Sequence, residues 1–154
     1  MFENTFENTK ILPALALRGL VCFPGVMLHF DVGRKKSVKA LNAAMEKGQR
    51  IFLVAQKNVY DEDPGDEEIY NIGCVAKICQ VLRMSDDSVK VLVEGLYRAK
   101  MVELDNSGSF MTAAVAKCEI PLVKNRKVYL ETLVRRIRNE FDIYASKGIK
   151  LAPD

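Results

Sequence analysis

Two periodicities divide this chain. Up to about residue 118 the apolar residues come in short runs, several alternating with polar ones, each closed by Gly, Pro, Asn, Asp or Ser. Residues 11–32 read as two strands around a Pro24-Gly25 turn. In the second, Val26, Leu28, Phe30 and Val32 share the face assigned to the core, leaving Met27, His29 and Asp31 outside. Gly33-Arg34 then leads to a helix that Ser37 is expected to cap, with Val38, Leu41, Ala44 and Met45 as its apolar stripe and Gly48 as its end. Ile51 to Ala55 has no polar alternation, as expected of a strand covered on both sides. A long strand from Gly73 to Arg83, a turn around Ser85-Asp86-Asp87-Ser88, a strand to Glu94, a third after Gly95 to about Glu103, and a last from Phe110 to Lys117 complete this part. Many short strands with one early helix predict a small curled or barrel-like sheet with the helix packed on it.

After Pro121 the period changes. Leu130, Leu133, Val134, Ile137, Phe141 and Tyr144 trace one stripe of a helix of about five turns that Gly148 closes. Leu151-Ala152-Pro153-Asp154 reads like the approach to another helix, so the chain is expected to stop inside a helical subdomain. The expected organisation is a leading segment over 1–10, a β domain over 11–118 and the start of a helical part over 119–154.

Charge reinforces that division. The chain is 49% hydrophobic, 28% charged and carries a formal +3. Residues 1–116 hold 14 Lys and Arg against 15 Asp and Glu, whereas 117–154 hold 9 against 5. The opening Met1–Lys10, with its Phe-Glu-Asn-Thr repeat, lacks the basic flank of a signal peptide, and Arg18 interrupts the next apolar stretch. A cytoplasmic protein is expected. Cys22, Cys74, Cys79 and Cys118 are scattered singly, which predicts reduced, buried thiols and no zinc site. The acidic stretch Lys57–Glu68 misses calcium-loop spacing, since counting from Asp61 places Gly65 fifth and Ile72 twelfth. It reads as a solvated loop.

In order, the chain carries Phe23-Pro24-Gly25, Asp31-Val32-Gly33-Arg34, Phe52-Leu53-Val54-Ala55-Gln56, Asn71-Ile72-Gly73 and Val91-Leu92-Val93-Glu94-Gly95, with Arg98 following. This succession resembles the N-terminal domain of the ATP-dependent protease Lon. The resemblance implies a mainly β, α+β fold: a PUA-like pseudo-barrel with one packed helix, continued by an amphipathic helix. It also implies a domain that engages misfolded or unfolded protein substrates and supports assembly of a homo-oligomer. The ATPase and Ser-Lys peptidase domains of that family lie further along the polypeptide, so ATP and Mg belong to the full-length enzyme and no cofactor to this segment.

The residues themselves offer binding rather than chemistry. No Gly-x-x-x-x-Gly-Lys-Ser/Thr occurs, and His29 stands without a recognisable nucleophile motif. In Val89–Glu94 the pleat places Leu92 with Lys90 and Glu94, on the face the pattern marks as wet. Met27, His29, Met84 and Leu92 are therefore the candidate apolar patch for unfolded polypeptide. Pro24, Gly25, Gly33, Gly73 and Gly95 read as structural, the later glycines supplying positive φ or close strand approach, and Arg34 as a tie from the helix start to a carboxylate. The alternatives are a nucleic-acid module working through Arg135, Arg136 and Arg138, and a stand-alone adaptor with a Lon-type domain. Glu131, Glu140 and Asp142 interleave with those arginines and disfavour the first. No membrane association is expected.

Overall fold

A computed structural model of the chain describes residues 9–84, 88–119 and 127–148. The leading repeat, the turn residues Ser85–Asp87, Lys124, Arg126 and the final Leu151–Asp154 lie outside them. The chain divides into two compact units that meet between Cys118 and Glu119.

The first unit contains β1 (Thr9–Leu17), β2 (Met27–Val32), α1 (Lys35–Glu46), β3 (Arg50–Ala55), β4 (Ile72–Arg83), β5 (Val89–Asp105) and β6 (Thr112–Lys117). The strands form one sheet in the order β2-β5-β4-β3-β1-β6, and β5 also pairs with β6. That extra pairing closes β5, β4, β3, β1 and β6 into a ring, with β2 added outside it against β5. Only β1 and β3 run parallel, joined through α1 as parallel neighbours require a crossover. The fold is mainly β, with the closed sheet and packed helix that the turn spacing and the resemblance predict.

Closure explains why the central strands are apolar throughout. Leu15 and Leu17 of β1, with Ile51 and Leu53 of β3, pack with Leu41 and Ala44 of α1 and with Phe30 and Val32 of β2. Ala14, Ala16, Phe52 and Val54, the alternate residues, join Val75, Met101, Met111 and Val115 in a second cluster. A strand buried on both faces loses its polar alternation. α1 is capped by Arg34 without a side-chain cap, and Ser37 lies buried two residues inside the helix. Its buried stripe is Ser37, Ala40, Leu41 and Ala44, with Val38 partly buried and Met45 exposed. The stripe is rotated from the predicted one, with the small Ser37 and Ala40 buried where the pattern predicts Val38 and Met45.

Three further differences concern the strands. β1 and β2 do not pair with each other: the segment 18–26 carries the chain from the ring to the outer strand. Val26, assigned to the core, lies in the turn and is exposed. The two strands expected on either side of Gly95 are one 17-residue strand, β5.

Gly95 is continuous with the strand because of what lies over it. Val26 donates its N–H to the Phe23 carbonyl at 3.3 Å, with Pro24 and Gly25 between them and Gly25 at φ +76°. This is a type II turn, whose third position demands a positive φ. Gly25 donates to the Gly95 carbonyl at 2.7 Å and Gly95 donates to the Val26 carbonyl at 3.0 Å, a glycine bulge that starts the β2–β5 ladder. A Cβ on Gly95 would run into the Phe23 carbonyl and come within 3.3 Å of the Cys74 Sγ. A Cβ on Gly73 would meet the Leu53 carbonyl at 2.5 Å and the Phe52 ring at 2.6 Å. Gly33, by contrast, has neither positive φ nor any atom within 4 Å of where a Cβ would sit, so the structural role expected of it is absent.

Among the described residues Arg34 forms no ion pair with a carboxylate, although Glu62 and Asp63 lie near enough to act on its charge. Its guanidinium donates to the Ala16 carbonyl, to the Glu62 carbonyl at 3.3 Å and to Gln56 Oε1 at 3.2 Å. Gln56, itself buried, donates through Nε2 to the carbonyls of Asn58 and Asp61, both at 2.6 Å. The pair shapes the start of the acidic loop by satisfying its main chain, while its carboxylates stay largely in water. Lys36 meets Asp63 at 2.8 Å, and hydrogen bonds from Lys36 and Asn106 hold the Asp63 carboxyl below its ordinary value. Cys22 and Cys74 are buried as expected, but Cys79 is exposed and Cys118 half-buried. The hydrogen bond with Cys74, aided by burial, pushes the Cys22 thiol far up and keeps it neutral.

The second unit holds α2 (Lys127–Ser146), ended at Gly148 with φ +78°. Its stripe of Leu130, Leu133, Val134, Ile137, Phe141 and Tyr144 matches the predicted period, and no residue of the helix is buried.

Gly95→Ala is expected to lower unfolding free energy by about 1–3 kcal/mol, the usual cost of overpacking. Gly33→Ala is expected to be neutral or stabilising by about 0.4–1 kcal/mol through the unfolded chain. Urea unfolding of the two variants measures both, and equal stabilities would refute the close approach at Gly95.

Candidate functional site: the outer face of β2, β5 and β4

The bulge at Gly25, opposite Gly95, fixes which residues face outward. With Val26 and Gly95 as a hydrogen-bonded pair, alternation makes Leu28–Val93, Phe30–Val91 and Val32–Val89 hydrogen-bonded pairs, and Met27–Glu94, His29–Leu92 and Asp31–Lys90 the close, non-bonded ones. The first set points into the core, where Phe30, Val32, Val89, Val91 and Val93 are buried. The second set therefore shares the outer face.

His29 and Leu92 sit directly opposite each other, and Met27 is one diagonal step from Leu92, a separation of roughly 7–8 Å between neighbours of this kind. Met27 is 51% exposed and Leu92 is half-buried. β4 contributes Gln80 opposite Leu92 and Leu82 opposite Lys90. Leu82 is 49% exposed and stands beside Leu92 on the diagonal. Pleat counting within β5 and β2 could not find it. A bulge between Ile78 and Gln80 shifts the register of β4 by one, and only the paired strands reveal which of its residues turn outward.

Met84 lies at the end of β4, where its N–H donates to the Ser88 carbonyl at 2.9 Å. That pairing places it two residues beyond Leu82, about 7 Å further along the strand. It is exposed, but at the margin of the group around Leu92. Charged pairs frame the same face: Glu94 opposite Lys77 at one end, and Asp31 with Lys90 at 3.9 Å at the other. The face thus has soft apolar side chains in the middle and charges at its ends. A second exposed apolar group, also absent from the sequence expectation, is Val21, Phe23 and Val26 in the segment preceding β2.

Arg135 and Arg138 lie on one side of α2 with Glu131 and Asp142, while Arg136 is one helical step away on another side. The three arginines do not form one uninterrupted basic surface. Among the described residues no group of three or more His, Cys, Asp or Glu is placed to hold a metal ion, and no helix is long and apolar enough to cross a membrane.

A family model, the ATP-dependent protease La (LON) substrate-binding domain, matches residues 11–154. The chain belongs to that family. It is 39% identical over 152 residues to a Lon protease of Heliobacterium modesticaldum, covering 99% of this chain and 18% of that protein. It is 38% identical over 143 residues to the Lon protease of Escherichia coli K12, covering 93% of this chain and again 18% of the relative. The chain thus spans less than a fifth of the length of these proteins. Its fold is similar to the N-terminal domain of a Mycobacterium avium complex Lon protease, with a TM-score of 0.61 at 19% identity over 90% of this chain and 75% of that one. It is also similar to a Lon N-terminal domain protein from Xanthomonas campestris, with a TM-score of 0.56 at 16% identity over 83% and 73%.

Methionine oxidation distinguishes the outer face from the core. Limited peroxide treatment followed by peptide mass spectrometry is expected to convert Met27, Met45 and Met84 well before Met101 and Met111, which are 8% and 7% exposed. Equal rates at all five would contradict the assignment of faces.

Proposed function

We propose that the outer face of β2, β5 and β4 captures exposed apolar segments of unfolded or misfolded proteins for an ATP-dependent protease of the Lon type. The observation that carries this reading is the register that places His29 opposite Leu92, with Met27 and Leu82 as neighbours, on one solvent-facing surface of a substrate-binding-domain fold. Thioether and branched aliphatic side chains accept varied partners, because they adapt in shape and impose no hydrogen-bond pattern. The charges at either end keep the surface soluble and leave the apolar middle as the attractive part.

The mechanism is binding without covalent chemistry. Each apolar anchor fully removed from water contributes roughly 1.5–3 kcal/mol, and ordering a disordered ligand consumes much of it. One domain therefore binds weakly. Several copies carried on a homo-oligomeric enzyme would hold one long client at several points, so modest single-site affinity becomes useful avidity. ATP and Mg would be needed by the motor of such an enzyme, not by this surface. Work in the cytoplasm as part of a longer protease fits this role. The interleaved acidic residues on α2 favour no competing nucleic-acid reading.

The test is fluorescence anisotropy of a labelled, permanently unfolded protein titrated with the 154-residue chain. Leu92→Glu and Met27→Glu are expected to weaken binding about ten- to hundredfold while circular dichroism remains unchanged. Binding by the parent chain is expected to survive high salt, as apolar capture does and phosphate-type binding does not. Unaltered affinity in both folded variants would end the proposal.

A further inference from the structure

The backbone of β2 carries a second kind of valence. β2 has β5 on one side and no strand on the other among the described residues. In the alternation set by the bulge at Gly25, Leu28, Phe30 and Val32 direct their N–H and C=O groups to β5. Met27, His29 and Asp31 consequently direct theirs to the open edge. These are the same residues whose side chains occupy the outer face.

Open edges are ordinarily blunted by proline, lysine, a bulge or a covering segment. The distal part of β4 is such a case. Beyond Ile78, whose N–H donates to the Gln49 carbonyl, it has no second neighbouring strand among the described residues, but it is interrupted by its own bulge and ends in Arg83. Within Met27–Val32 there is neither proline, lysine nor bulge, and its only charge, Asp31, leans toward Lys90 of β5. At the Phe30–Val32 end of β2 lies a groove of about 610 Å³, within the range of ligand clefts, lined by Leu17, Leu20, Phe30 and Val32 together with the charged Arg18, Asp31, Arg34 and Glu62. The open edge therefore supplies main-chain donors and acceptors at strand spacing, and at its Asp31 end the groove supplies both apolar and charged surface.

We infer that the open edge of β2 binds an extended segment of client polypeptide by strand addition, its main chain pairing with Met27, His29 and Asp31 and an apolar side chain entering the groove beside Phe30. This rests on the reading of the domain as a binder of unfolded protein, and it names the form in which the client is held. Folded proteins have already spent their backbone hydrogen bonds internally, whereas an unfolded chain offers them at every residue. Recognition through the main chain thus selects for unfoldedness, and the groove at the Phe30–Val32 end accepts an apolar side chain beside Phe30. A second copy of the domain is the competing occupant.

The probe is a fluorescent heptapeptide of alternating valine and threonine, compared with two versions N-methylated on its odd or on its even amides. Strand addition uses only one set of amides, so one methylated version is expected to bind the 154-residue chain about tenfold or more weakly and the other nearly as well as the parent. Equal binding of the two would overturn the inference. On the protein, His29→Pro removes an N–H that the β2–β5 ladder does not use, and is expected to weaken the unmethylated peptide about tenfold more than His29→Ala, which removes the same side chain and keeps the N–H. Should His29→Pro fail to fold, the methylated pair decides alone.

Leu92→Glu separates the two readings. If it weakens binding while the methylated peptides remain equal, the edge inference falls and the apolar-face proposal stands. If it has no effect while the methylated peptides differ, the edge inference stands and the apolar-face proposal falls. Sedimentation of the chain alone, showing a dimer that His29→Pro dissolves, would assign the edge to a second copy and overturn the client assignment.

Discussion

The approach of the Phe23 carbonyl to Gly95 is the contact on which the rest of this domain depends. It lets a tight turn end directly in a ladder, so β2 begins already paired to β5. Because no side chain intrudes there, β5 runs unbroken past the point where its partners change. Its first part carries β2 and β4, and its last part reaches β6 and closes the ring. Any Cβ at that position would force the Pro24-Gly25 turn away from the strand and loosen β2. The outer face, its register and the open edge all inherit their geometry from this one crossing.

Closure of the ring and exposure of β2 divide the work between them. The later half of β1, the middle of β3 and the adjoining part of β4 are buried on two faces and have no alternation to offer solvent. β2 and its partners are covered on one face only, so they can hold apolar side chains in water without weakening the core. Exposed apolar surface and stabilising core are thereby physically separate.

The acidic loop shows a related economy of means. Its six carboxylates invite a reading as a cation site, yet much of its shape comes from donors to its main chain and from one ion pair at Asp63. Arg34 and Gln56 satisfy main-chain carbonyls, and Lys36 with Asn106 anchors Asp63 from outside. An arginine that looks in sequence like half of an ion pair is used instead as a set of main-chain donors. Such use is invisible to charge counting, because carbonyl oxygens belong to every residue.

Local order was readable from the chain itself. Short runs punctuated by turn residues specify strands, the three-four spacing after Pro121 specifies α2, and Pro24-Gly25 specifies a turn, since all three follow from interactions within a few residues. The outward placement of Met27 and His29 was legible for the same reason, as pleat alternation is local. What only the tertiary structure decided was everything that depends on a partner strand: that β1 pairs with β3 and not β2, that β5 continues through Gly95, that Leu82 joins Leu92, and that Gly33 is dispensable where Gly73 and Gly95 are not. A sequence states the period of each strand, but register, bulges and edges are properties of pairs, fixed when chain segments far apart in sequence compete for the same hydrogen bonds.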